Sequence, residues 1–175
     1  PTVAEYLTGW LAGRKALRAG TRRTYETHLA RYLIPHLGNV RIDKLRVSHI
    51  GAMFDAVTER SNRAAELRAS ADPAQRRRAN GMYVIKTATI HRIRSTLRIA
   101  LNAAVRQRLI EINPAKDVEL PSVKRPKALV WTDERLKRWR RTGQTPSPVM
   151  VWTPAQTGAF LDHAHDVDDR LYALY

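Results

Sequence analysis

Apolar side chains recur along this chain with a helical period. Val3, Tyr6, Leu7, Trp10 and Leu11 fall at i, i+3, i+4, i+7 and i+8, one stripe of a short amphipathic helix. Thr2 and Glu5 precede and open that stripe with capping-box spacing. A second helix begins at Gly20-Thr21, with Tyr25, Leu29, Tyr32 and Leu33 as its apolar face. Pro35 is expected to stop it, and Gly38 marks a turn. A third helix is predicted from about Val47 to about Glu59, with Ile50, Phe54 and Val57 inward. Residues 60–85 have no clear period and read as a partly helical, mobile excursion, in which Arg60–Arg68 could extend the third helix or form a separate one. Asp72-Pro73 and Gly81 punctuate it, and Arg76-Arg77-Arg78 is a basic run.

The fourth helix carries the clearest pattern. Ile90, Ile93, Leu97, Leu101 and Ala104 or Val105 follow helical spacing from about Thr87 to Arg108. His91, Arg94, Ser95, Arg98 and Asn102 form a second, polar stripe on the same helix. Asn113-Pro114 ends it. Beyond, four more prolines are spread to Pro148, with a short helix predicted at about Asp133–Arg141. Val130-Trp131-Thr132 and Val151-Trp152-Thr153 echo each other as two entries into helices. Residues 154–163 form a last helix with Phe160 and Leu161 apolar. No strand is expected, so the fold class is all-α.

Composition narrows the chemistry. The 175 residues are 43% hydrophobic, enough for a packed core, and lack cysteine. Disulfides and thiolate metal sites are therefore excluded. No apolar run is long enough to span a membrane, so no membrane partner is expected. No secretory signal opens the chain, which favours a cytoplasmic setting. The formal charge is +15, and 24 of the 31 basic residues are arginine. Arginine's planar fork pairs with phosphates and guanine edges, so this balance points to nucleic acid. The charge is also uneven: residues 86–110 hold no acidic side chain, whereas residues 151–175 carry −3. The shift in sign marks a domain boundary near residue 150.

Catalytic chemistry is thin. No Gly-rich phosphate loop and no paired carboxylates stand out, and the eight glycines are scattered. His163, His165, Asp166, Asp168 and Asp169 match no metal-ligand spacing and read as an exposed acidic turn. No metal, cofactor or catalytic residue is assigned.

DNA binding is the better-supported chemistry. Arg22 and Arg23 lie in the first turn of the second helix, where free backbone N–H groups also favour phosphate. Tyr25 follows them, read first as core and second as a DNA contact; Trp10 is read as core. Lys86, Thr87, Thr89, His91, Arg92, Arg94, Ser95 and Arg98 cluster in the first half of the fourth helix, whose width fits the major groove. Lys124, Arg125, Lys127, Arg135, Lys137, Arg138, Arg140 and Arg141 line the segment after it. Two readings of these stand side by side: a solvated linker, or a strap along the DNA backbone, to which Lys124, Arg125, Lys127, Arg138, Arg140 and Arg141 would supply the contacts.

The ordered set of segments resembles the core-binding (SAM-like) domain of tyrosine recombinases of the phage integrase type. Thr21-Arg22-Arg23-Thr24-Tyr25, Ile34-Pro35-His36-Leu37-Gly38, Thr89 through Arg98, and Asn113-Pro114-Ala115 carry the resemblance. Val151-Trp152-Thr153-Pro154 and Phe160-Leu161 resemble the opening helix of the family's catalytic domain. The resemblance implies a four-helix core-binding domain over 1–115, a basic linker over 116–150 and the truncated start of a catalytic domain over 151–175. It implies double-stranded DNA as partner, with the second and fourth helices facing the major groove, and other protomers in a tetrameric synapse. The family's tyrosine nucleophile and its arginine, lysine and histidine partners belong to the catalytic domain. His91-Arg92-Ile93-Arg94 has the family's His-x-x-Arg spacing but stands before the linker, so it is not assigned to catalysis. The alternative reading is a stand-alone helical DNA-binding regulator or architectural protein.

Overall fold

The computed structural model describes residues 1–122 and 126–167. Two compact units divide the chain, Pro1–Val123 and Lys124–Tyr175. Lys124, Arg125, Asp168 and Asp169 lie outside the described residues.

In the first unit, helix α1 (Val3–Ala12) starts with the expected capping box. The Thr2 hydroxyl accepts from the Glu5 N–H at 3.2 Å, and the Glu5 carboxylate accepts from the Thr2 N–H at 2.8 Å. Hydrogen bonding of the carboxylate first to the Thr2 N–H and then to the Thr2 side chain holds the Glu5 carboxyl below its usual range. All five stripe residues of α1 are buried. The chain's return anchors this helix start: Val3 N–H donates to Val40 O, and Ala4 N–H to Gly38 O.

Helix α2 (Ala19–His28) does not end at Pro35. It passes through a π-helical turn (Leu29–Leu33) into a last α-helical turn, α3 (Ile34–Leu37). The Ile34 N–H reaches back five residues to Leu29 O. Proline has no N–H to give the α-helical ladder, and the wider turn just before it absorbs that loss. A 3₁₀ turn (Ile42–Lys44) leads to helix α4 (Val47–Ala69), ten residues longer than its apolar pattern predicts.

The excursion is ordered and tied down. Asp72 caps the short helix α5 (Pro73–Arg78). Ser61, buried on α4, clamps Ile85: its hydroxyl accepts from the Ile85 N–H at 2.8 Å and donates to the Ile85 carbonyl at 3.3 Å. Arg68 donates to Met82 O, and the Arg31 guanidinium lies 4.5 Å from the Tyr83 ring centre.

Helix α6 (Thr87–Arg106) runs through the centre of the unit. Ile93, Leu97, Ala100, Leu101 and Ala104 are fully buried on it, against Val3, Leu7, Leu33, Leu37 and Ile50. The Tyr6 hydroxyl donates to Ala100 O at 2.9 Å, and burial raises its pKa. A 3₁₀ turn (Pro114–Lys116) follows, and the chain then runs back along α6 to Ser122.

The second unit includes most of the stretch expected as linker, and it contains the strands the sequence reading did not anticipate. Strand β1 (Leu129–Val130) pairs in parallel with strand β2 (Met150–Val151), Leu129 opposite Met150 and Val130 opposite Val151. The Val-Trp-Thr echo is this pairing. Each strand passes through a tryptophan to a capping threonine: Thr132 opens helix α7 (Asp133–Thr142), and Thr153 opens helix α8 (Pro154–Val167). Two residues per strand are too few for an alternating pattern to show in the sequence. Gln156 Nε2 donates to Trp131 O at 3.0 Å, fixing α8 to the end of β1.

Candidate nucleic-acid interface

Helices α2 and α6 are held side by side by a buried hydrogen bond. His28 Nδ1 lies 2.7 Å from Thr96 Oγ1. The Thr96 hydroxyl donates its proton to Arg92 O at 3.2 Å, so its oxygen accepts from the His28 Nδ1–H. Burial lowers the His28 pKa, and the nearby Arg92 charge lowers it further. This pair aligns the two helices that the sequence reading assigns to DNA.

On α6 the polar stripe divides into two sets. One holds the returning chain. His91 Nε2–H donates to Pro121 O at 2.8 Å, and Arg94 donates to Val118 O at 2.9 Å. Lower down, the fully buried Asn113 donates to Arg98 O at 2.9 Å and to Asn102 Oδ1 at 2.8 Å, while its own oxygen accepts from the Ala115 N–H. His91, Arg94 and Asn102 thus share their side with residues 113–121. The stripe's acid-free character reflects in part a need for donors facing carbonyls.

The other set stays open. Arg92, Ser95 and Arg98 are exposed, with Lys86 exposed at the helix start and Arg106 at its end. Ser95 donates back to His91 O within the helix. Thr87 and Thr89 are half-buried. Among the described residues no carboxylate pairs with any of these cations; the ion pair present is Arg41–Asp43.

On α2 the two arginines also part ways. Arg22 turns to the end of α1, where its guanidinium donates to Leu11 O and Arg14 O. Arg22 thus ties α2 to the segment that ends α1. Arg23 is exposed. Tyr25 is half-buried with its ring 5.5 Å from that of Trp10, which Arg14 covers at 5.0 Å. The core reading of Tyr25 and Trp10 fits this packing.

In the second unit Lys127, Arg138, Arg140 and Arg141 are exposed. Arg135 donates to Val130 O at 2.8 Å. Helix α7 carries Asp133 and Glu134 in its first turn and Arg140 and Arg141 in its last, an order that also complements the helix dipole.

The sequence reading treats Asn113 only as a helix terminator. Its burial and its three side-chain hydrogen bonds make it the pin of the returning chain. The signal for it is the Asn-Pro pair standing eleven residues after Asn102. Arg106 is missed as well, because it lies past the part of the helix where basic residues cluster.

No described helix is long and apolar enough to cross a membrane. The first unit has the fold of a SAM-like helical domain. Residues 2–54 match the family described as phage integrase, N-terminal SAM-like domain. Two solved structures are similar. One is the integrase-like domain from Bacillus cereus, 24% identical, with a TM-score of 0.52 over 71% of this chain and 86% of that one. The other is the phage integrase SAM-like domain from Moorella thermoacetica, 23% identical, with a TM-score of 0.46 over 70% and 87%. The sequence finds no match among curated proteins. The helical unit thus has a SAM-like fold, and its residues 2–54 are similar to the N-terminal domain of phage integrases.

Proposed function

We propose that this chain binds duplex DNA at core-type recombination sites, as the N-terminal part of a site-specific tyrosine recombinase acting in DNA integration and excision. The observation that carries this reading is the open basic arc of α6, Lys86, Arg92, Arg98 and Arg106, held beside α2 and its exposed Arg23 by the His28–Thr96 bond. Such an arc suits phosphates at its flanks and guanine edges at its centre. The integrase-type match over residues 2–54 supports the same reading.

In this proposal residues 1–115 recognise the site. The basic residues of 116–150, including Lys127, Arg138, Arg140 and Arg141, grip the backbone, and residues 151–175 open the catalytic domain. Strand cleavage by a tyrosine and stabilisation of the phosphorane-like transition state belong to that domain, so this chain alone is not catalytic. Full-length protomers would assemble on DNA, inside the cell.

A salt titration of duplex binding tests the proposal, comparing random DNA with duplexes selected from a library for tight binding. A selected half-site bound at least about tenfold better than random DNA is the expected result. Equal affinity for every duplex removes the site-recognition role, and a lack of duplex binding removes the reading altogether.

A further inference from the structure

A second basic site lies on the first unit, built by the excursion. A cavity of about 270 Å³ is lined by Arg31, Tyr32, His36, Arg60, Gly81 and Tyr83, with Val57 and Ile85 at its apolar wall. No acidic side chain lines it.

Its construction depends on two features the sequence does not advertise. In a plain α-helix, residues five apart are separated by about 500° of rotation and face different sides. The π turn before Pro35 spaces its hydrogen bonds five residues apart, so Arg31 and His36 come round to one cavity. Helix α4 runs far enough to deliver Arg60, and the Ser61–Ile85 clamp brings the excursion back over it. Gly81, at φ +76°, makes the turn that precedes Tyr83. Tyr83 is 55% exposed, so its ring is not there to fill the core. Arg31 covers it, and among the described residues neither the Arg60 nor the His36 side chain has a hydrogen-bond or ion-pair partner.

We infer that this cavity binds a nucleotide, with its phosphate on Arg31, His36 and Arg60 and its planar base against Tyr32 and Tyr83. Arginine forks suit phosphate oxygens, and tyrosine faces accept any base by stacking. The same chemistry is offered by a free mononucleotide and by a nucleotide within a DNA strand. This inference does not rest on the α2–α6 face, which lies on other residues.

Calorimetric titration of the full chain with deoxyadenosine monophosphate tests it, against inorganic phosphate and deoxyadenosine as separate probes. The monophosphate is expected to bind at least about tenfold tighter than either probe, because only it engages both the cations and the rings. Arg60→Ala and Tyr83→Ala, both exposed and outside the core, are each expected to weaken it about tenfold. Competition by a DNA duplex would identify a DNA nucleotide as the natural occupant; simultaneous binding would identify a free one. Absence of saturable binding at millimolar monophosphate, or binding unchanged in both variants, overturns the inference. Equal affinity for inorganic phosphate would overturn the stacking role of the tyrosines.

Discussion

Arg94 on α6 donates a hydrogen bond to the carbonyl of Val118, 24 residues further on, at 2.9 Å. An arginine expected to read DNA is thus engaged in holding the chain's return against its own helix. Arg94→Ala is expected to cost about 1–2 kcal/mol of stability, since a charge-assisted bond to a carbonyl is lost. Arg98→Ala, which removes an exposed side chain, should leave stability nearly unchanged and weaken DNA binding. Chemical denaturation and duplex titration on both variants check this; equal stability of Arg94→Ala and the parent would remove the tie's importance.

Arg22 and Arg23 are adjacent in sequence and opposite in use. Arg22→Ala should lower the melting temperature by uncovering the Leu11 and Arg14 carbonyls. Arg23→Ala should leave melting unchanged and reduce the salt slope of DNA binding by about 0.9 for the phosphate contact removed. The reverse assignment of effects would move the phosphate contact to Arg22.

His28 gives the fold a pH dependence of definite sign. Its folded-state pKa lies below the ordinary 6.5, by burial first and the Arg92 charge second. The folded form therefore binds fewer protons than the unfolded chain, and stability falls as pH drops below about 6.5 toward the folded value. Thermal melts between pH 7 and pH 5 should show this loss, and His28→Gln should flatten it. A parent and variant with the same pH profile would contradict the assignment.

Two glycines predict opposite outcomes. A methyl group at Gly38 would stand 2.5 Å from Ile34 O and 3.2 Å from Ala4 Cβ, where α1 meets the return of the chain. Gly38→Ala should cost about 1–3 kcal/mol. At Gly51, within α4, an added methyl meets nothing within 4 Å, so Gly51→Ala should stabilise by about 0.5–1 kcal/mol. Melting temperatures that shift in the same direction would refute the contrast.

Arg108 ends α6 in the left-handed region at φ +57°, with Leu109 N–H reaching back to Ala104 O. Helices often end this way on glycine, which pays no steric penalty there. Arg108→Gly should raise stability by up to about 1 kcal/mol, read from denaturant midpoints.

Several elements are legible in the sequence because their cause is local. The Thr2–Glu5 box, the α1 stripe and the inward face of α6 follow from residues within two turns of each other. Pro35 is misread because a proline's effect depends on whether the helix before it can widen, and that is decided by packing of Leu29 and Leu33 in the core. The length of α4 stays open in the sequence because its second half is held by Ser61, whose small side chain bonds Ile85 of the excursion, a contact that no apolar period reports.

By itself, the sequence determined a helical, strongly basic domain with a resemblance to integrases, and the helices that carry its charge. The tertiary structure decided which of those charges are free. Arg22, His91 and Arg94 meet backbone carbonyls of other segments, while the side chains of Arg23, Arg92 and Arg98 meet none among the described residues. Helical periodicity sets which way a side chain points; only the fold sets what is waiting there.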